Sequence, residues 1–499
     1  MVPRLGLLGG ILAFLVIGFL PATPGLPAEA QWAAATGVLM ATWWLTEAMP
    51  AAATSLAPIV LLPLCGAMPA GEVTRAYASE TNLLFLGGLM IAMAVERWDL
   101  HRRMALAIIH SFGGTPASLM FGFMAATAAI SGWISNAATT MMMMPIATAV
   151  LLHFRQDEPG LEEEMAPPLL LAIAYSASIG GLATIVGTPP NAIFVGQMAS
   201  LFPEAPRIGF LQWMMVGVPV VLVMLPLAWL YLVRFASSLW KSTAILDRDV
   251  ITARRRELGP MTTAERRVTF VFATTALLWM TRSPIHMEAF TVPGWSDLLA
   301  QPAFAGDSTV AIGMALVLFV IPSGRETGER LLDWKTAARL PWGVLILLGG
   351  GFALADAMRA TGLAEWIGHG LGSLHSLGPV PTVLLLCTAV LFLTEMMTNT
   401  ALTTIMMPVL AASAVAGGID PFLLMVPCTL AASLAFMLPS GTAPNAIVFS
   451  SGHLRMAYMA RVGFVLNLVS IVVITAITFA VAGPVFGISL DTLPAWAHP

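Results

Sequence analysis

Between Arg103 and Arg155 the chain runs for 51 residues without a formal charge. That is too long for one membrane crossing, which takes about 20 residues, and too apolar for a soluble loop. Similar runs recur along the 499 residues, of which 58% are hydrophobic and only 10% charged, where a soluble domain carries about 25% charge. In lipid the backbone must satisfy its own hydrogen bonds, so long apolar runs of this kind imply an all-α polytopic membrane protein. The net charge of −4 then says little about partners. Cys65, Cys387 and Cys428 lie far apart in apolar runs and suggest neither a disulfide framework nor a metal site.

Inside these runs, short polar motifs occur twice. Ser135-Asn136-Ala137-Ala138-Thr139-Thr140 leads through four methionines to Pro145; Thr398-Asn399-Thr400-Ala401-Leu402-Thr403 leads through Met406-Met407 to Pro408. At an offset of 263, residues 136–145 match 399–408 at six of ten positions. A second motif, Gly187-Thr188-Pro189-Pro190-Asn191-Ala192-Ile193, returns as Gly441-Thr442-Ala443-Pro444-Asn445-Ala446-Ile447. Gly87-Gly88 is echoed by Gly349-Gly350 at an offset of 262.

Apolar runs bounded by helix breakers place spans at 5–21, 32–47, 50–65, 82–96, 167–200, 209–233, 267–284, 308–322, 342–358, 420–451 and 462–483, with hairpins at 115–150 and 380–415. The run 5–20 behind Arg4 has the outline of a secretory signal, but with so many spans behind it, it reads as the first of them. The expectation is eleven crossings and two re-entrant hairpins. With a cytoplasmic N-terminus, nineteen of the 23 Lys/Arg then lie inside, and only Arg75, Arg207, Arg282 and Arg359 lie outside. Counting either hairpin as a crossing would spoil that asymmetry.

The polar stretch 237–266, with Arg254-Arg255-Arg256, reads as a cytoplasmic linker between halves 1–236 and 267–499. Its charge follows from positive-inside bias, so no nucleic-acid role is expected. Five crossings separate the motif copies, which turns the second upside down: the inverted-repeat plan of many secondary transporters.

Irregular backbone at membrane depth is tolerated where it is buried in protein or lines a cavity. A hairpin tip at the midplane meets that condition. Its helix ends would offer free carbonyls to a hard cation and free amides to an anion. Proline stops the helix in the Gly-Thr-Pro-Pro-Asn stretch, and Gly187 is expected to permit the turn. Each half would then set a tip against a break, giving two cation sites around one anion site. Small polar residues also serve helix packing in membranes, but a paired, matched set points to function. The methionine runs read as adaptable packing. Glu395, the one formal charge of the second hairpin, is expected to play a structural hydrogen-bonding role in preference to carrying protons.

At these residues the chain resembles the divalent anion:sodium symporter family, of the Na⁺/citrate-carrier type, which carries Ser-Asn-Thr at both tips. The run from Ser433 to Val448 is similar to the family signature, with Ser440 where an aliphatic residue is usual. The resemblance covers nearly the whole chain. It implies a scaffold and a transport domain working as an elevator, a homodimer in membrane lipid, and Na⁺ and a dicarboxylate as cargo. The first sodium site would use Ser131, Ser135, Asn136 and Gly187, the second Thr394, Thr398, Asn399 and Gly441. The substrate pocket would be lined by Asn136, Ala137, Thr188, Thr398, Asn399, Thr400, Thr442 and Ala443. Ala137 lacks the hydroxyl of the family motif, and Ala443 replaces a proline.

The expected function is Na⁺-coupled symport of a C4-dicarboxylate such as succinate, malate or fumarate across a bacterial inner membrane. The alternatives are a sodium-independent dicarboxylate exchanger and a symporter for sulfate or citrate. An intramembrane enzyme would need a base beside a buried Ser or paired Asp residues, and no such set is evident. A continuous channel fits broken helices less well than alternating access does.

Overall fold

The computed structural model describes residues 2–21, 25–157, 160–237, 239–241, 249–286, 291–371, 378–490 and 492–497. Part of the expected linker, 242–248, lies outside the described residues, and so does Arg248.

The chain starts with α1 (Val2–Phe19) and α2 (Ala28–Thr46), which pack together. Gln31 of α2 donates to Ile17 O and Leu20 O at 2.7 and 2.9 Å, supplying donors to carbonyls at the end of α1 that lack an i+4 helical partner. The expected span 50–65 is not one rod. It is split into α3 (Ala51–Thr54) and α4 (Ala57–Leu64). At the split Ser55 Oγ turns back to Ala51 O at 2.7 Å, the local competition with helix hydrogen bonding that serine offers. Then come α5 (Ala70–Tyr77), α6 (Glu80–Arg97) and α7 (Leu100–Ser111). Ser79 caps α6 by accepting from Asn82 N at 3.3 Å. The amphipathic α7 was not expected from hydropathy, because its arginines interrupt the apolar pattern.

The first hairpin is α8 (Pro116–Ser131) and α9 (Asn136–Asp157), within two residues of the expected start. The broken segment is α10 (Leu161–Gly181) and α11 (Pro189–Leu201), followed by α12 (Phe210–Tyr231). Gly180 lets α10 close on α8: a Cβ there would lie 2.3 Å from Ala128 O. A short helix, α13 (Asp249–Glu257), occupies the linker ahead of α14 (Thr263–Met280).

In the second half follow α15 (Asp307–Val320), α16 (Trp334–Ala337), α17 (Trp342–Ala360) and α18 (Leu363–Leu371). The second hairpin is α19 (Pro379–Leu393) and α20 (Asn399–Ala416). The second break separates α21 (Pro421–Ala432) from α22 (Ala443–Phe449), and α23 (Met456–Ile477) and α24 (Gly483–Phe486) complete the chain. One departure from the all-helical expectation is a two-residue antiparallel pair, Ile285–His286 with Thr291–Val292, in the loop after α14.

Packing crosses between the halves. α10 lies on α8 and α9, and α21 lies on α19 and α20. But α9 also packs on α22 of the other half, and α20 packs on α11. So each hairpin's second arm leans on the opposite break. α17 packs against α2, α3 and α5, and α6 against α15, forming a body beside this crossed set. On the linker side Arg103 of α7 reaches Glu265 at 2.8 Å and the carbonyls of Leu258 and Gly259 at 3.2 and 3.0 Å, clamping the two halves. Burial works to raise the Glu265 carboxyl, but the Arg103 guanidinium and the Thr262 amide and hydroxyl outweigh it and hold it below the usual carboxylate range.

Candidate functional site

At the first tip, α8 ends at Ser131 and α9 begins at Asn136. The buried Ser131 hydroxyl lies 2.7 Å from Asn136 Oδ1 and 2.8 Å from Ala177 O on α10. A hydroxyl has one proton, so it can serve only one of these acceptors at a time. The second tip repeats the arrangement. Thr394 Oγ1 lies 2.8 Å from Asn399 Oδ1 and 2.8 Å from Ala432 O on α21. Turned with its nitrogen inward, the Asn399 carboxamide would donate to Gly441 O at 3.2 Å, Thr394 Oγ1 at 2.8 Å and Ala432 O at 3.1 Å. Turned with its oxygen inward, it joins those three oxygens in a set with a single proton among them. Such a set is stable when a cation sits within it.

Gly187 belongs to the first cluster for a reason other than the expected one. Its φ is not in the left-handed region; instead a Cβ there would lie 2.5 Å from Gly181 O and 2.9 Å from Gly132 O. Glycine is needed for close approach, not for a turn. A Cβ on Gly181 would likewise meet Asn136 Oδ1 at 2.6 Å. Gly441 has the same role, with a Cβ position 2.9 Å from Ala435 Cβ and 3.0 Å from Glu395 Oε2.

Ser135 and Thr398 sit at the tips, exposed, and their side chains cap the following helices. Ser135 Oγ accepts from Ala138 N at 3.3 Å and Thr398 Oγ1 from Ala401 N at 3.4 Å. Thr188 is buried at the N-terminus of α11, and Thr442 caps α22 by accepting from Asn445 N at 3.4 Å. Ala137 and Thr400 are half-buried in the first turns of α9 and α20, and Ala443 is exposed at the start of α22. Neither repeated motif contains Arg or Lys. The groups at the tips and breaks are therefore neutral: hydroxyls, carboxamides and helix N-termini.

Two features lay beyond the site residues named from sequence. Asn191 donates to Gly181 O and Thr184 O at 3.0 and 2.7 Å, and Asn445 donates to Ala435 O and Leu438 O at 3.1 and 3.0 Å. Both asparagines are fully buried, and neither Oδ1 atom has a partner among the described residues. Their place in the duplicated stretch was the signal that could have found them. The helix-end carbonyls of Ala177 and Ala432 carry no sequence signal at all. Glu395 takes the hydrogen-bonding role expected of it: it accepts from Phe436 N, Met437 N and Leu438 N at 2.8, 2.9 and 2.9 Å, and from Asn467 Nδ2 at 2.9 Å.

The family model for the sodium:sulfate symporter transmembrane region matches residues 4–488. A sodium-dependent dicarboxylate transporter of Staphylococcus saprophyticus is 41% identical over 491 residues, covering 97% of this chain and 92% of the relative. A transporter of the same description from Staphylococcus aureus is 41% identical over 495 residues, covering 98% and 92%. Among solved structures, the Alcanivorax borkumensis YdaH transporter aligns with a TM-score of 0.56 at 14% identity, covering 84% of this chain and 88% of that one. Neisseria gonorrhoeae MtrF, an antimetabolite efflux pump, aligns with a TM-score of 0.58 at 13% identity, covering 83% and 84%. These two likenesses concern the fold alone. With a family match over nearly its full length and apolar helices throughout, this chain is a multi-pass membrane transporter, not an enzyme, and belongs to the divalent anion:sodium symporter family.

Proposed function

We propose that the protein couples Na⁺ entry to uptake of a C4-dicarboxylate such as succinate, malate or fumarate. The observation that carries this reading is the oxygen cluster at each tip: the Ser131 hydroxyl between Asn136 Oδ1 and Ala177 O in the first, and Thr394 Oγ1, Ala432 O and Gly441 O converging on the Asn399 carboxamide in the second. With its oxygen turned inward, each carboxamide leaves more lone pairs than protons at a helix break, and a monovalent hard cation resolves that excess. The substrate dianion would bind between the tips, with Asn136, Thr188, Asn399, Thr400 and Thr442 as donors and Ala137, Thr398 and Ala443 as walls. Two bound cations would offset its charge. Without them, neutral donors alone hold a dianion poorly, so Na⁺ binds first.

The reading includes eleven spans with two re-entrant hairpins, halves 1–236 and 267–499 related by inversion, and a cytoplasmic N-terminus in a bacterial inner membrane. In elevator motion, the crossed set of α8–α12 and α19–α23 would slide against the body around α2, α6 and α17. A homodimer would supply the fixed frame. The curated relatives, described as sodium-dependent dicarboxylate transporters, support the cargo.

The test is uptake of labelled succinate into proteoliposomes. Uptake is expected with an inward Na⁺ gradient and not in choline; equal uptake in both rejects symport. Because the family model is described by sulfate, that anion is the competing cargo. Sulfate that displaces succinate completely at equal concentration would favour it. Uptake that needs internal dicarboxylate would favour exchange.

A further inference from the structure

We propose that a cavity between α7, α9 and α13 binds the phosphate headgroup of an anionic phospholipid in the cytoplasmic leaflet. The cavity holds about 310 Å³, and its described lining is Arg102 and Leu106 of α7, Met142, Pro145 and Ile146 of α9, and Arg254 of α13. Two arginines from separate elements meet at one mouth, over a floor of four apolar side chains. No acid is among these described lining residues. Arg102 has no acidic partner among the described residues. Arg254 pairs with Glu257 at 3.0 Å, one turn on, in a solvent-facing pair that contributes little.

A guanidinium fork matches phosphate oxygens in geometry as well as charge. Free phosphate would use the arginines and leave the apolar floor in water. A phospholipid uses both, with its acyl chain against Met142 and Pro145 on the accessible face of α9. The Lys/Arg bias sets α7 and α13 on the cytoplasmic side, where anionic lipids attract basic residues. The contrast with the opposite face is informative. There a cavity of about 430 Å³ also holds arginines, but acids line it too and answer two of them: Arg282 meets Asp307 at 2.5 Å and Arg207 meets Glu80 at 3.6 Å. The described lining of the α7–α9–α13 cavity holds two arginines and no acid.

The location gives the lipid leverage. Met142, Pro145 and Ile146 follow Asn136 by 6, 9 and 10 residues on the same helix, so the headgroup would sit about 9–15 Å along α9 from the tip. A lipid there ties the hairpin arm to α7 and α13.

Native mass spectrometry of the full-length protein, titrated with phosphatidylglycerol or phosphatidylcholine, tests this without any transport assay. The wild type is expected to retain phosphatidylglycerol preferentially. Arg102→Gln and Arg254→Gln are each expected to weaken that retention about fivefold, from the contribution of one basic residue at an anionic surface. Equal retention of the two lipids by the wild type, or unchanged retention in the double variant, overturns the proposal. Thermal unfolding of the wild type gives a second reading that needs no variant. Phosphatidylglycerol should raise the midpoint and phosphatidylcholine or inorganic phosphate should not; an equal rise with inorganic phosphate would reject the lipid as occupant.

Discussion

The two halves build the same oxygen cluster on differently shaped breaks. In the first, residues 182–187 stay in tight turns: Leu182 N bonds Ile179 O at 3.2 Å, Ala183 N bonds Gly180 O at 3.0 Å and Gly187 N bonds Thr184 O at 3.3 Å. Thr184 Oγ1 ties the turn to Gly132 O at 2.5 Å, and Trp213 Nε1 caps Leu182 O at 3.0 Å. In the second, residues 434–436 lie outside helix and turn, and the amides of 436–438 find no backbone acceptor among the described residues. Glu395 supplies the acceptors, and Asn467 steadies the carboxylate. The offset that aligns the tips sets Glu395 against Gly132, which explains why the first hairpin needs no acid. The first break solves its hydrogen bonding locally, and the second imports a charge to do so. The halves differ in exposure as well. Thr188 and Thr442 are both buried, but Ser440 is open where its counterpart Val186 is buried.

The largest test of the shared cluster is removal of either tip carboxamide. Asn136→Ala and Asn399→Ala should each reduce Na⁺-driven succinate uptake to background in proteoliposomes. Full activity in one of them would break the equivalence of the halves. Next comes the asymmetry itself. Glu395→Ala strands three amides, one of them fully buried, and should cost about 3 kcal/mol, whereas Trp213→Phe strands one carbonyl and should cost about 1 kcal/mol. Thermal unfolding in detergent compares them, and equal losses would remove the distinction drawn between the breaks. A smaller effect is expected from Ala137→Thr, which restores to the first tip the hydroxyl Thr400 gives the second. One added hydrogen bond to a carboxylate should lower the KM for succinate about fivefold, with Vmax little changed.

The smallest effect concerns the Arg103–Glu265 clamp between the halves. Because the Glu265 carboxyl is held below its ordinary value, its contribution is complete above the usual carboxylate range. It is lost as pH falls through the lower, folded value. Arg103 is partly exposed, so the loss should stay under about 1 kcal/mol. Comparing the unfolding midpoints of the wild type and Glu265→Gln at neutral and acid pH checks this. Their difference should shrink in acid, and a gap that widens would reverse the assignment.

Most of the helices were legible from hydropathy and proline placement, because both act through neighbours in sequence. The tip at 132–135 and the break before Pro189 fall where Ser131-Gly132 and Gly187-Thr188-Pro189 predict them. The split at Ser55 was hidden inside an apolar run, since a single serine is cheap to read past. The amphipathic α7 and α13 were hidden by their charges.

The sequence by itself determined a membrane protein with two matched polar breaks centred on Asn136 and Asn399, to which the family resemblance added Ser131 and Thr394. Those signals are local: charge-free length, helix breakers and a repeated spacing. Only the tertiary structure decided that each hairpin arm leans on the opposite half, that Gly187 serves close approach, and that Glu395 answers amides 41 to 43 residues away. Which acceptor meets which orphaned amide depends on how distant helices pack, and no local pattern encodes that.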